Sequence, residues 1–318
     1  MWTRNELLEL GLTDYQIRSR VNEGTLLRLR RNCYVAAEAS TRDKVAAIAQ
    51  LYPDAVFTGT AALAAYGFCE VQLPATIRVD NNCRTHANEL VRTVRSRPVP
   101  ANRVKGVRMA LPAQAVADAL SFERCGEWLL KEALAQAYRG LNGRGRFAAD
   151  LDMVTSKEKD AVRELAEEAP VGTASKWEQR MFREMRRVGL KPVPNFRLGP
   201  YTWDLGFKAG TTVVDLDSLY YHTPENNHRE FLIGTWKTNH AVQHGWAPLK
   251  FTDECTDYHL KLVVETVQET VAHRRSVRGL KSKPQKVRRA MATPAWRFHQ
   301  SLLSVSYTHL TLPTTPYV

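Results

Sequence analysis

The stretch Val213–His222 reads VVDLDSLYYH and places two carboxylates, Asp215 and Asp217, two residues apart in an otherwise apolar run. A short apolar run of this kind is typical of a strand that is buried in a sheet. Core strands rarely carry acids, because a buried carboxylate needs a partner that stabilises its charge. The fold must therefore bring a cationic or polar group to these two aspartates.

The segments around this strand predict a regular succession of helices and strands. A capping box, Ser175-Lys-Trp-Glu178, begins a helix that ends at Gly189. The later segments are three strands in a meander, a long helix, a fourth strand and a last helix: Asn195–Leu198, Tyr201–Phe207, Thr211–His222, Asn226–His244, Ala247–Thr252 and Thr256 to about Ala272. This α-β-β-β-α-β-α order resembles that of a restriction-endonuclease-like core.

Two aspartates on neighbouring strands of the meander form a candidate metal site. Asp204 ends one hairpin strand and Asp215 lies on the next, so antiparallel pairing can bring both carboxylates to one face of the sheet. Neighbouring carboxylates repel each other unless a cation lies between them, and Mg²⁺ prefers oxygen ligands of this kind. We therefore expect Asp204 and Asp215 to bind Mg²⁺, which would activate water and stabilise a pentavalent phosphate.

The first 38 residues predict two short helices followed by a basic hairpin. Thr3-Arg-Asn-Glu6 and Thr13-Asp-Tyr-Gln16 are capping boxes ten residues apart, and TLLRLRRNCYVA reads as a β-hairpin with an Arg-Asn turn. This order is that of a winged helix-turn-helix, whose second helix lies in the major groove and whose wing reaches the DNA backbone or minor groove. The predicted DNA contacts are Arg18, Arg20, Arg28, Arg30 and Arg31. The alternative is a small helical subdomain with solvated arginines.

Residues 41–150 predict an α/β domain in which we find no nucleophile motif, metal cluster or phosphate loop. Strands are expected in VFTGT, PATIRVDN, LVRTVRS and VKGVRMA, and helices in LPAQAVADAL and EWLLKEALAQAYRGL. Residues 151–172 are charged and predict a linker helix before a nuclease-like domain at residues 173–275. The whole chain is thus expected to be a mixed α/β (α+β) protein with three folded parts.

The first half of the chain resembles the AbiEi-type antitoxins of type IV toxin–antitoxin systems. The resemblance is carried by the two capped helices, the wing LLRLRRNCYVA, AVFTGTAALAAYGF and LPAQAVADAL. Of a family pattern T-x-x-R-T-x-x-D in the last of these, Asp118 is present, and the Ser-His of the family's V-S-H-x-S-A-A pattern is absent. The resemblance implies DNA binding and autoregulation of an operon, and leaves open a cognate toxin as partner.

The segment from Ser175 to Tyr258 resembles a Vsr-like endonuclease domain of unknown function. The matching pieces are SKWE, WD at Asp204, VVDLD, HGW and PLKF. The resemblance implies that Asp204 and Asp215 are metal ligands and Glu178 an auxiliary acid. It also implies that Asp217 stands where PD-(D/E)xK enzymes carry lysine, and that His222 is a general acid or base. The family pattern E-x-D-G-x-x-x-H reads D-L-D-S-L-Y-Y-H here, so the metal ligand is one methylene shorter and Ser218 replaces glycine.

Several of these residues have a plainer structural interpretation. Glu178 can be only a capping residue, Asp217 can cap the following loop, and His222 can satisfy a buried backbone group. His240 and His244 lie one helical turn apart, as zinc ligands can, but the HExxH glutamate is missing, so a solvated helix face is the better interpretation.

The composition favours a polyanionic partner in a reducing compartment. The 318-residue chain carries a net charge of +12, which favours DNA, RNA or an anionic surface. Its five scattered cysteines contain no CxxC, the N-terminus does not resemble a signal peptide, and no apolar window reaches membrane-span length. We therefore expect a bacterial, cytoplasmic protein without membrane contact; its oligomeric state is left open.

The C-terminal segments lie outside the predicted folded parts. Residues 276–304 form a basic tail, and Arg274–Arg289 contains eight Lys or Arg and no acid, which suits either a phosphate-contacting arm or a solvated tail. Residues 305–318 read VSYTHLTLPTTPYV and resemble an in-frame translation of a sequencing adapter. No fold is predicted for them.

Two hypotheses follow from the sequence. The first is a Mg²⁺-dependent DNA endonuclease or nickase that uses Asp204 and Asp215. The second is a transcriptional regulator or antitoxin whose nuclease-like domain is catalytically inactive.

Overall fold

The computed structural model describes residues 1–217 and 228–277, and the chain divides into two compact units, Met1–Gln179 and the part from Arg180 onward. Both units combine helices with a sheet, which confirms the predicted mixed α/β class. Among the described residues, no helix has both the length and the hydropathy needed to cross a bilayer. The predicted basic tail beyond residue 277, the adapter-like end and His222 lie outside the described residues.

The first unit begins with two short helices, α1 (Arg4–Glu9) and α2 (Asp14–Asn22), each started by the predicted capping box. At α1 the Thr3 hydroxyl accepts from the Glu6 amide, and the Glu6 carboxylate accepts from the Thr3 amide at 2.6 Å. Thr13 and Gln16 repeat this arrangement at α2. Two donors at each helix start are thereby satisfied, which fixes where these short helices begin.

A three-stranded sheet follows the two helices. Its strands are β1 (Trp2–Thr3), β2 (Leu26–Arg30) and β3 (Cys33–Ala36), in the order β1-β3-β2. The predicted hairpin turn is present, and Asn32 adopts φ 64°, a left-handed conformation that asparagine tolerates better than most residues. The helices and the hairpin share a small apolar cluster of Leu7, Ile17, Leu26 and Tyr34.

The rest of the first unit is a five-stranded sheet covered by helices. The strands, in sheet order, are β6 (Val91–Arg95), β5 (Ala75–Val79), β4 (Val56–Thr58), β8 (Val107–Ala110) and β7 (Ala101–Val104). The helices are α3 (Thr41–Leu51), α4 (Gly59–Ala65), α5 (Pro112–Phe122), α6 (Glu127–Ala137), α7 (Gly143–Asp152) and α8 (Lys159–Glu168). The prediction of a single strand in VKGVRMA was wrong: Lys105 and Gly106 have φ 49° and 83° and turn the chain into the β7–β8 hairpin.

The segment predicted as a linker helix contributes to the core of the first unit. Helix α8 buries Val162, Leu165 and Ala166 in the same apolar cluster as the strands of the five-stranded sheet. Its charged residues lie on the opposite side, so the charge that suggested a linker belongs to the outer face of an amphipathic helix.

A buried ion pair holds α5 against the five-stranded sheet. The Arg78 guanidinium on β5 donates to both carboxylate oxygens of Asp118 on α5 at 2.5 Å, and the two side chains are 7% and 0% exposed. Thr58 and Gln114 donate to the same carboxylate at 2.6 and 3.0 Å. Asp118 thus has a structural partner set that satisfies its charge inside the protein.

The second unit is built on a four-stranded mixed sheet. Helix α9 (Lys176–Arg187) leads into it, and the other elements are β9 (Val193–Leu198), β10 (Tyr201–Phe207), β11 (Thr212–Asp217), α10 (His228–Gln243), β12 (Ala247–Thr252), α11 (Asp253–Tyr258) and α12 (Leu260–Ser276). The sheet order is β12-β11-β10-β9, with β9, β10 and β11 antiparallel and β12 parallel to β11. The last predicted helix is in fact two helices. Thr252 caps α11, and the helical conformation is interrupted at His259 before α12 begins.

Helices cover both faces of this sheet. On one face Met181, Phe182 and Met185 of α9 pack with Val214 and with valines of α12. On the other face Trp203 and Val213 pack with Ala241 of α10. Asp215, two residues before the end of β11, is buried within this arrangement.

Candidate functional site

The acidic strand is met by a lysine from α10. Asp215, near the end of β11, is 3% exposed, and the Lys237 ammonium lies 2.6 Å from its Oδ1. The Lys237 side chain is itself only 15% exposed. A buried carboxylate needs a compensating partner, and here a lysine of the same unit supplies the positive charge.

A second lysine bridges the two aspartates of the strand. The parallel register of β11 and β12 sets Lys250 opposite Asp215. The Lys250 Nζ lies 3.1 Å from Asp217 Oδ2 and 3.9 Å from Asp215 Oδ2. The two acids and two lysines therefore form one charge-compensated group, which we call the aspartate–lysine cluster (Asp215, Asp217, Lys237 and Lys250).

The indole ring of Trp203, on β10, packs against the Lys237 side chain. The lysine Nζ lies 4.5 Å from the centroid of the indole ring, a distance at which an ammonium is attracted to the π face. Trp203 is fully buried, and its Nε1 has no hydrogen-bond partner in the described part of the chain. The ring thus packs against the same ammonium that pairs with Asp215.

Burial raises the pKa of Asp215 above its ordinary value. Lys237 and Lys250 act in the opposite direction, and the neighbouring charge of Asp217 adds to the rise. Desolvation is the largest of these influences, so this carboxyl holds its proton more firmly in the folded protein than in water, even with a lysine beside it.

Asp204 supports the backbone of the acidic strand. Its Oδ2 accepts a hydrogen bond from the Leu216 amide at 2.7 Å, so the carboxylate contacts the chain between Asp215 and Asp217. The pairing of β9 with β10 is irregular beside Asp204. Trp203 pairs with Phe196 and Leu205 with Pro194, and Asn195 between them has φ 48°. Asp204 is therefore half-buried and engaged by β11 itself.

One oxygen of Asp215 and one of Asp204 are already engaged within the protein. The nearer oxygen of Asp215 is bonded to an ammonium, and one oxygen of Asp204 is bonded to a backbone amide. Within residues 1–217 and 228–277, no three His, Cys, Asp or Glu side chains converge in a way that could hold a metal ion. A metal that bound Asp215 through Oδ1 would therefore have to displace the Lys237 ammonium.

Glu178 is placed as the capping residue that its sequence context also indicated. Its two carboxylate oxygens accept from the amides of Ala174 and Ser175 at 2.8 and 3.1 Å, and its own amide donates to the Ser175 hydroxyl. Glu178 belongs to the first unit, whereas Asp204 and Asp215 belong to the second.

The two histidines of α10 stack on each other. The His240 and His244 rings lie 4.1 Å apart, and His240 also packs edge-on against Tyr201. The His244 Nδ1 lies 2.8 Å from the His240 carbonyl oxygen, which engages that ring locally. The Nδ1 of His240, by contrast, is buried and has no hydrogen-bond partner in the described part of the chain.

The five arginines predicted to contact DNA all lie on the first two helices and the hairpin of the first unit. Arg18 and Arg20 are exposed on α2. Arg28, Arg30 and Arg31 are exposed on β2 and its turn, and Arg28 lies 5.9 Å from the ring centroid of Tyr34. Their side chains are accessible to a partner.

Sequence reasoning missed Lys237 and Lys250. Pairing β11 with β12 residue by residue from Thr212 and Ala247 would have set Lys250 opposite Asp215. Lys237 carried no comparable signal, because its contact depends on how α10 packs over Trp203.

A scan of the sequence against protein-family models gave no match, and a search of curated proteins found no similar sequence. The two family resemblances therefore remain predictions.

Proposed function

We propose that this chain is a DNA-binding protein of the regulator or antitoxin type, and that its nuclease-like second unit does not cleave DNA. The order of α9, β9–β11, α10 and β12, with β12 parallel to β11, supports a nuclease-like ancestry for that unit. The antitoxin interpretation adds a cognate toxin as a partner.

One observation carries this proposal: the Lys237 ammonium lies 2.6 Å from Asp215 Oδ1 in a nearly dry site. A nuclease of this type needs its carboxylates free to hold Mg²⁺. Here an internal ammonium, backed by Trp203, already neutralises the acid that would be the main ligand. Metal binding through this oxygen would require Lys237 to leave Asp215, so the site favours structural use.

The DNA contacts of this proposal lie in the first unit. The exposed Arg18 and Arg20 of α2 would face the major groove, and the hairpin arginines would contact phosphates. The net charge of +12 supports a polyanionic partner, because cationic side chains gain free energy by releasing counterions from DNA.

Mg²⁺-dependent cleavage of DNA is the second candidate function. The observation that favours it is Lys250, which lies between Asp215 and Asp217 and thereby sets a lysine beside two carboxylates, as PD-(D/E)xK sites do. Under this candidate Asp204 and Asp215 would bind the metal, and no step through that metal follows from the present arrangement.

The two candidates are separated by incubating the full-length protein with supercoiled plasmid in the presence of Mg²⁺, Mn²⁺ or EDTA. Variants Asp215→Asn and Arg18→Ala/Arg20→Ala are compared with Arg103→Ala/Arg144→Ala, which removes the same charge from exposed positions elsewhere in the first unit. We expect retardation of the plasmid without nicking, unchanged in Asp215→Asn and weakened about tenfold in the α2 variant. Metal-dependent nicking that disappears in Asp215→Asn would establish the second candidate, and absence of both binding and nicking would exclude both.

A further inference from the structure

The first unit contains a large basic cleft that shares Arg30 and Arg31 with the predicted DNA contacts but is not otherwise used by either candidate function. Its volume is about 920 Å³, and it lies between the hairpin turn, the end of α3 and the loops that follow β5 and β6. Two aspartates, Asp54 and Asp80, also line it. Its six arginines are Arg30, Arg31, Arg78, Arg84, Arg97 and Arg108.

The arginines divide into fixed and available groups. Arg78 is held by Asp118 at the base, and Arg108 donates to the Asp54 carbonyl oxygen at 3.0 Å. Arg84 and Arg97 are exposed at the rim, and neither has a carboxylate within ion-pair distance among residues 1–217 and 228–277.

The available arginines Arg30, Arg31, Arg84 and Arg97 converge on one concave space from the hairpin turn and from two loops. Such guanidinium groups are the usual partners of phosphate, because each can donate two parallel hydrogen bonds to its oxygens.

An aromatic pair forms one wall of the cleft. The rings of Tyr52 and His86 stack at 6.1 Å with an angle of 28°, and the tyrosine hydroxyl lies 3.3 Å from His86 Nε2. Both side chains are half-buried and line the same space as the arginines. Flat rings beside cationic groups offer a stacking surface to a heterocyclic base.

We propose that this cleft binds a nucleotide, with its phosphates on Arg84 and Arg97 and its base against Tyr52 and His86. The volume lies within the range of small-molecule pockets. Duplex DNA is convex and too wide to enter such a space, so it could only lie across the mouth. The proposal does not depend on DNA binding by α2, since Arg18 and Arg20 do not line the cleft.

The test is a calorimetric titration of the full-length protein with ATP, inorganic pyrophosphate and adenosine. We expect ATP to bind more tightly than pyrophosphate and adenosine to bind weakly. The variant Arg84→Ala/Arg97→Ala should weaken ATP binding by at least about tenfold, because each charge-assisted bond to phosphate contributes at this scale. The control Arg103→Ala/Arg144→Ala removes two exposed arginines that do not line the cleft and should leave the affinity unchanged.

Three outcomes would overturn the proposal. Absence of ATP binding would do so, as would equal weakening in the control variant. Pyrophosphate binding as tightly as ATP would remove the role of the aromatic pair and with it the nucleotide class. A parallel gel-retardation series separates this from the DNA proposal: if the cleft variant loses plasmid binding while ATP does not bind, the cleft belongs to a DNA surface instead.

Discussion

The Lys237 Nζ and Asp215 Oδ1 lie 2.6 Å apart on elements that are adjacent only in the folded second unit. Lys237→Met would leave a carboxylate that is 3% exposed with only the more distant Lys250. We expect the second unit to lose about 3–5 kcal/mol of unfolding free energy, as for a broken buried pair. Hydrogen exchange of β10 and β11 amides measures this locally.

The control Lys250→Met removes a half-exposed lysine that lies farther from Asp215, and it should cost less than about 1 kcal/mol. Equal losses of unfolding free energy in the two variants would contradict the assignment of Lys237 as the main partner of Asp215.

The raised pKa of Asp215 predicts a definite pH dependence of stability. Its folded pKa lies above the ordinary value of 3.8, so the folded state holds this proton more firmly than the unfolded state. The stabilisation that comes from this bound proton is therefore present below the ordinary pKa, and it is lost as the pH rises through the folded pKa. Protection of β11 in wild type relative to Asp215→Asn should fall as the pH rises above the ordinary value of 3.8. A difference that grew with pH would show that Lys237 outweighs desolvation.

The buried pair Arg78–Asp118 predicts strongly unequal effects of single and double substitutions. Asp118→Leu leaves a guanidinium that is 7% exposed without its partner and should cost about 3–5 kcal/mol. Arg78→Met/Asp118→Leu removes both charges and should cost less than the sum of Arg78→Met and Asp118→Leu alone. Urea unfolding of the wild type, the two single variants and the double variant gives the coupling free energy, and additive effects would mean that the pair contributes nothing specific.

Local chemistry was predictable from the sequence, whereas tertiary partners were not. The capping boxes at Thr3, Thr13 and Ser175 fixed three helix starts, because both halves of each box lie within four residues. The β7–β8 turn was missed because Lys105 is not a residue that normally adopts positive φ. The acids of β11 correctly required a partner, but Lys237 is 22 positions away and reaches Asp215 only through the packing of α10. Sequence spacing shows the acids and not the ammonium, and the metal site at Asp204 and Asp215 stays a prediction.

Glu178 is predicted to act in capping alone. Glu178→Ala removes the acceptor of the Ala174 and Ser175 amides and should cost about 1 kcal/mol of stability. It should leave plasmid binding, and any metal-dependent nicking, unchanged. Glu178→Gln keeps an acceptor oxygen and should recover part of the stability, whereas an auxiliary acid would lose activity in both variants. Thermal unfolding and the plasmid assay together give the two readouts.

The cysteines of the first unit should differ sharply in reactivity. Burial raises the pKa of Cys69 to about 11, so at about pH 8 only about one thiol in a thousand is ionised there. Cys83 is exposed and lines the basic cleft. Iodoacetamide should therefore modify Cys83 well before Cys69, as followed by mass spectrometry of tryptic peptides, and Cys83→Ser should remove the fast phase. If ATP binds the cleft, it should also slow alkylation of Cys83 while leaving the half-buried Cys33 unchanged. Fast labelling of Cys69 would contradict its partly buried position against the core of the first unit.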